Sequence, residues 1–284
     1  MSLSDDRRNE LATTAHQVRE DVLRMVHAAR CGHPGGPLGM ADFMTVLFLE
    51  HLNLEPANLH APDRDRFVLG NGHTCAGYYA LLAAKGLVPR DELLRFRKFG
   101  SPLQGHPHRN PDLGIDFSTG SLGNSLSVAA GMALAARSNG WDTRVYSTSS
   151  DGESQEGQIW EAATSAAHYS LGNLTVLVDF NNVQIDGHMR DVMDVLDLRK
   201  KYEAFGWHAV DVDGHDLDAV NDALLAARTE ADRPSAIICH TVIGKGISFM
   251  ENQPGWHGVA PDDDQLAAAL AELAASSPRG SSGA

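Results

Sequence analysis

Apolar residues near the start of the chain recur on a helical beat. Leu11, Val18, Val22, Met25 and Val26 fall on one face of a rough 3.6-residue period, with Ser4 placed to cap the first turn. The pattern stops at "RCGHPGGPLG", where glycine and proline break the helix, and resumes in "MADFMTVLFLEHL". From about Arg66 the rhythm changes. Short apolar runs ("RFVLG", "RVYSTSS", "LTVLVDF", "WHAVDVDG", "PSAIICHTV") alternate with helical segments such as "NSLSVAAGMALAARSNG", "GQIWEAATSAAHYSL" and "LDAVNDALLAART". This alternation predicts an α/β fold, a parallel sheet with helices on both faces. The runs at 174–178 and 236–239 are apolar almost end to end, as strands are when both faces are covered. Residues 1–273 read as one domain without internal repeats, and 274–284, "AASSPRGSSGA", as a disordered polar tail. Trp160 and the leucine and valine runs are expected in the core.

In such a sheet, ligands sit beyond the carboxyl ends of the strands. Two stretches fall there. "SSDGESQEGQIWEAA" follows one apolar run, and "DFNNVQIDG" ends the next, placing Asn181 thirty positions after Asp151 with a helix between. A carboxylate and an amide oxygen converging at two neighbouring strand ends suit a hard cation such as Mg2+, completed by phosphate oxygens and water. The bland alternative, that Asp151 caps the next helix and Asn181 and Asn182 make a turn, is equally supported by the pair alone.

Composition narrows the rest. With 284 residues, 43% hydrophobic residues and 27 glycines, the chain can bury a large core. A formal net charge of −14 argues against nucleic acid or a membrane surface as partner, and makes any phosphorylated ligand dependent on a local positive site. The opening segment lacks the apolar stretch of a signal peptide, which makes the cytoplasm the expectation. Cys31, Cys75 and Cys239 are odd in number and widely spaced, as expected of small buried residues in a reducing compartment.

The glycine and histidine motifs change the balance between the two readings. "GHPGGPLGMA", "LGNGHTCAGYYA", "LQGHP", "STGSLGNSLSVAAGMALA", "DGESQEG", "DFNNVQIDG", "TVIGKGISFMEN" and "GWHG" stand in the order found in transketolases. The chain resembles the diphosphate-binding half of a thiamine diphosphate dependent transketolase over roughly residues 10–266. The resemblance implies the diphosphate-binding (PP-type) domain fold. It implies that Asp151, the Asn181 side chain and the Val183 carbonyl hold Mg2+, or Ca2+ or Mn2+, and that His73, Gly123, Asp151, Gly152, Glu153 and Asn181 contact the cofactor. Glu156 matches an acidic residue at the dimer interface. His33, His73, His106 and His257, with Glu156, are the expected catalytic residues, since imidazole moves protons on substrate hydroxyls near neutral pH. His51, His60, His108, His188, His208 and His215 are expected at the surface or in turns, and His168 behind the cofactor helix. Lys245 reads equally well as a phosphate binder and as a loop lysine, and Asp262–Asp264 as a solvated helix start.

The resemblance further implies a split enzyme. The pyrimidine-binding and C-terminal domains of the family would come from a separately encoded partner chain, with the pair forming a heterotetramer. The implied reaction transfers a two-carbon ketol unit from a ketose phosphate to an aldehyde. A specialised acyloin or deoxyketose-type synthase is the alternative within the same chemistry, and a non-catalytic partner-binding module the alternative outside it. Two positions depart from the family pattern: Ser150 stands where it has glycine before Asp-Gly, and Asn124-Ser125 where it has Gln-Gly.

Overall fold

A computed structural model describes residues 2–278. Helix α1 (Asp5–Ala29) opens with the Ser4 side chain accepting from Arg7 N–H and ends at Arg30 in the left-handed conformation. Helix α2 (Gly35–Val46) begins inside the glycine-proline stretch instead of after it, because proline is tolerated in a first turn, and it runs on through a π-turn at Leu47–His51. Then follow β1 (Arg66–Val68), α3 (Cys75–Ala84), α4 (Asn124–Ser138), β2 (Val145–Ser150), α5 (Gly157–His168) and β3 (Leu174–Phe180). A small hairpin, β4 (Val183–Gln184) with β5 (Gly187–His188), leads to α6 (Met189–Val192), α7 (Leu198–Ala204), β6 (His208–Asp213), α8 (Leu217–Thr229), β7 (Ser235–His240) and α9 (Asp263–Ala275). Helix α9 carries the chain two residues past the boundary drawn at Leu273, and residues 279–284 of the expected tail lie outside the described residues.

Five strands form one parallel sheet in the order β1-β2-β3-β7-β6. Strand alternation divides its side chains between two cores. Val176, Val178, Ala236 and Ile238 pack with residues of α4, α5 and α7, while Leu177, Ile237 and Cys239 face the core built from α1, α2, α3 and α8. Both faces are therefore covered, which is why the central strands carry apolar residues at successive positions. The β2–β3 register pairs Ser150 with Asp179, so the two strands end side by side, and the chain leaves each at the same edge of the sheet.

Several side chains sit elsewhere than expected. His51 is buried and bonded to Asn221 Oδ1 at 3.0 Å. His215 lies in a turn as expected, with its Nδ1 2.7 Å from Asp42 and its Nε2 accepting from Val242 N–H. His168 lies exposed at the end of α5, its ring against Tyr169. Cys31 is exposed, unlike Cys75 and Cys239. Trp160 is half-buried, stacked on Phe205 with its indole N–H donating to Ser154 O.

Leu177 is fully buried at the centre of β3. Replacing it with alanine is expected to cost about 2–5 kcal/mol of unfolding free energy by urea titration, the range for emptying a well-packed core site.

Candidate active site

The ends of β2 and β3 are shaped by side chains that bond back to the main chain. Asp151 Oδ1 accepts from Gly152 N–H at 2.8 Å, and Oδ2 from Asn182 N–H at 2.6 Å. Asn182 takes a left-handed conformation that asparagine tolerates, letting Asn181 Oδ1 accept from Val183 N–H at 2.9 Å. Asn181 Nδ2 donates to Asp179 at 2.8 Å, and the Thr241 hydroxyl bonds to the same carboxylate. Asp151, Asn181 and Val183 are thereby held together at one end of the sheet, lining the same cleft.

Three carboxylates are buried here: Asp151, Glu153 and Asp179 are each 1% exposed. Among the described residues none of them forms an ion pair with lysine or arginine. Burial, with the Asp179 charge beside it, pushes Asp151 up to about 7; burial pushes Asp179 up to about 6 and Glu153 up to about 7. A divalent cation beside Asp151 would relieve this charge crowding, and the oxygen-only donor set suits a hard ion. Gly152 supports the same fit. Its backbone is helical, and a Cβ built on it would meet only Gln184 Cβ, at 3.7 Å, on the wall of the cleft. The protein's own packing does not demand glycine there; a phosphate approaching the backbone would.

The histidines come from distant loops that glycine contacts draw together. A Cβ on Gly35 would stand 2.8 Å from both the Ile243 side chain and the Trp256 carbonyl, and one on Gly36 2.9 Å from Thr74. The start of α2 thus packs directly on the segments bearing His257 and His73. Ring centroids of His33, His73 and His257 lie 5.1–5.7 Å apart. Burial and the neighbouring imidazoles push His33 down to about 4 and His73 to about 3, and burial lowers His257. His106, lowered by burial and then by Arg97, packs against Gly120. These imidazoles are neutral at pH 7, able both to accept and to donate. His33 Nδ1 and His257 Nδ1 are buried without a hydrogen-bond partner among the described residues.

One cleft of about 410 Å³ lies between the histidines and the strand ends. His33, His73, His106, His257, Glu156, Asp151, Gly152, Glu153, Asn181 and Val183 all line it. Gly123 stands just behind, its N–H donating to Glu153 Oε1 at 2.8 Å. Glu156 is exposed on the chain taken alone. Lys245, 3.8 Å from Glu251, is not among the lining residues. Sequence reasoning did not single out Asp179, which orients Asn181, or Asn71, which accepts from Thr148 Oγ1 at 2.9 Å and lines the cleft. The signal for Asp179 was available, a carboxylate in an otherwise apolar strand.

Oxygen donors and imidazoles face each other beyond the carboxyl ends of a parallel sheet, the edge at which α/β domains of this class bind ligands. Residues 11–278 match the family described as transketolase, thiamine diphosphate binding domain, and the chain belongs to it. It is 36% identical over 266 residues to an apulose-4-phosphate transketolase subunit of Actinobacillus succinogenes, covering 93% of this chain and 96% of that one. Identity is 37% over 264 residues to the 6-deoxy-6-sulfo-D-fructose transketolase subunit SqwG of Clostridium sp., with the same coverage. The chromosomal transketolase of Cupriavidus necator is 39% identical, but this chain spans only 41% of its length. The solved transketolase of Leishmania mexicana superposes with a TM-score of 0.86 at 33% identity, 93% of this chain lying on 41% of that one. The chain is thus a transferase subunit of the transketolase type, matching the length of the separately encoded relatives.

Gly152→Ala separates the ligand's demand from the fold's. With a helical backbone and no close protein neighbour, the variant is expected to be as stable as the parent or up to about 1 kcal/mol more so. Calorimetry of the chain with its partner should show thiamine diphosphate affinity reduced about tenfold or more, the size expected when a close backbone–phosphate contact is lost. Unchanged affinity would remove Gly152 from the phosphate site.

Proposed function

We propose that the chain is the diphosphate-binding subunit of a two-component transketolase that moves a two-carbon ketol unit from a ketose phosphate to an aldehyde in the cytoplasm. The observation that carries this reading is the single cleft in which Asp151, Asn181 and Val183 face His33, His73 and His257. Asp151, Asn181 and the Val183 carbonyl would hold Mg2+, and Gly152 would admit the diphosphate to its N–H. Thiamine diphosphate, when bound, supplies the carbon–carbon cleavage and ligation. The protein's part is to bind, orient and move protons. Neutral His33, His73 and His257 would donate to or accept from substrate hydroxyls and carbonyls, and the His106 side chain, on the same wall, would engage the donor. Glu156, exposed and lining the cleft, would meet a partner chain.

The partner would be a chain carrying the pyrimidine-binding and C-terminal domains, with a heterotetramer as the assembly; similar proteins of the same length are themselves named as transketolase subunits, which supports this reading. The chain alone is expected to give no ketol transfer, and mixing it with its partner to restore turnover; robust activity from this chain alone would contradict the two-component reading. A panel of ketose phosphates, 2-oxo acids and aldehydes, run on the pair, distinguishes ketol transfer from an acyloin or deoxyketose synthase. His106→Ala in the pair is expected to lower kcat/KM for the donor on the order of a hundredfold while cofactor affinity stays within about threefold. Normal donor kinetics would give His106 a structural role instead.

A further inference from the structure

Glu153 is an acid the proposed reaction does not use, yet it is as deeply buried as the cation-site aspartate. It stands two residues after Asp151, at the start of a single 3₁₀ turn (Glu153–Gln155) that the strand end feeds directly. Two bonds fix it. The Ser150 hydroxyl accepts from Glu153 N–H at 3.1 Å, while Ser154 Oγ donates back to Ser150 O at 2.8 Å, so Ser150 closes the turn from both sides. The Glu153 side chain reaches the neighbouring loop, where Oε1 accepts from Gly123 N–H at 2.8 Å.

Gly123 stands immediately before α4, with φ +87, a conformation that glycine adopts readily. It ends the loop whose Gly120 and Leu122 wall the cleft, and whose Gly120 packs on the His106 ring. A Cβ on Gly123 would lie 2.7 Å from Glu156 Cβ, so the loop is pressed onto the turn. Glu153 Oε2 is buried, wedged near Gly70, with no close hydrogen-bond partner among the described residues. A carboxylate in such a place is costly unless it is bonded; Oε1 takes the Gly123 N–H, and the Ser149 hydroxyl on β2 also favours the charged form.

The two departures from the transketolase pattern therefore meet. Ser150 shapes the turn that presents Glu153, and Glu153 receives the loop that runs into Asn124-Ser125. We propose that Glu153 is a positioning residue: presented by Ser150, it ties the 119–123 loop to the cation-binding strand end, so that the two walls of the cofactor cleft are set relative to each other before cofactor binds. The cofactor part of this inference rests on the function proposed above; the tie itself does not.

The test uses amide hydrogen exchange on the full chain without cofactor, followed by thiamine diphosphate titration of the chain with its partner. Glu153→Ala is expected to speed exchange in the peptide covering 119–125 by about tenfold or more, as loss of a charged hydrogen bond implies, with other segments unchanged. Glu153→Asp, which draws the acceptor back by one methylene while keeping the charge, should also lose protection there, and it serves should the alanine variant not fold. Glu153→Gln keeps an oxygen for Gly123 and should stay within about threefold of the parent in exchange and in cofactor affinity, whereas the alanine and aspartate variants bind about tenfold more weakly. Ser150→Ala should give a smaller increase in the same peptide. Parent-like protection of 119–125 in Glu153→Ala or Glu153→Asp would overturn the tie. So would a Gln variant as exposed as the Asp variant. If the parent pair binds no thiamine diphosphate but exchange follows this pattern, the proposed function fails and the tie stands.

Discussion

Everything at this end of the molecule depends on burying negative charge where two parallel strands stop. Asp151 and Asp179 follow or end neighbouring strands, and the register that pairs Ser150 with Asp179 brings them into one low-dielectric space. Like charges so placed disfavour ionisation. The main chain offsets part of that cost through the N–H groups of Gly152 and Asn182, and the side chains of Asn181 and Thr241 offset more around Asp179. What remains is an electrostatic deficit at Asp151, which a divalent cation with its diphosphate would fill. Such a site is shaped in advance by the fold, and the ligand need not assemble it.

The opposite wall is organised by close approach of backbone. Gly35 and Gly36 let α2 press against the segments 242–257 and 73–74, and this contact gathers three imidazoles spread over more than two hundred residues of sequence. Their burial keeps them neutral. Hydroxyl and carbonyl groups of a sugar are better served by such groups than by imidazolium, which can only donate. Negative charge is thus concentrated on the cation side of the cleft, while the histidine side carries imidazoles with the Arg97 guanidinium near His33 and His106.

Much of this was legible in the chain. Alternating apolar runs and helical segments reflect a sheet covered on both faces, and the oxygen-bearing residues Asp151 and Asn181 stand where a parallel sheet presents its ligand edge. The glycine-flanked histidines were legible as a group because their loops recur in a family order. What escaped the sequence reading was set by partners distant in the chain. His51 looked like a surface or turn residue, yet Asn221 holds it inside, and the Asp42 partner of the turn residue His215 was not legible. The bond from Glu153 to an amide thirty positions earlier was likewise beyond the sequence pattern. The β4–β5 hairpin is two residues per strand, shorter than any periodicity can register, and depends on the left-handed Asn182. The glycine-proline stretch does break the helix after Ala29, but its second half already opens α2, since proline in a first turn forfeits no helical bond.

The central claim is that the strand ends of β2 and β3 form the cation site of the cofactor. It is tested most directly by a crystal structure of the chain with its partner, grown with thiamine diphosphate and Mn2+ and phased on the manganese anomalous signal. The account predicts one strong anomalous peak in the cleft, ligated by Asp151, Asn181 and the Val183 carbonyl together with two diphosphate oxygens. A peak held by other residues, or a diphosphate bound away from Asp151 and Gly152, would contradict it.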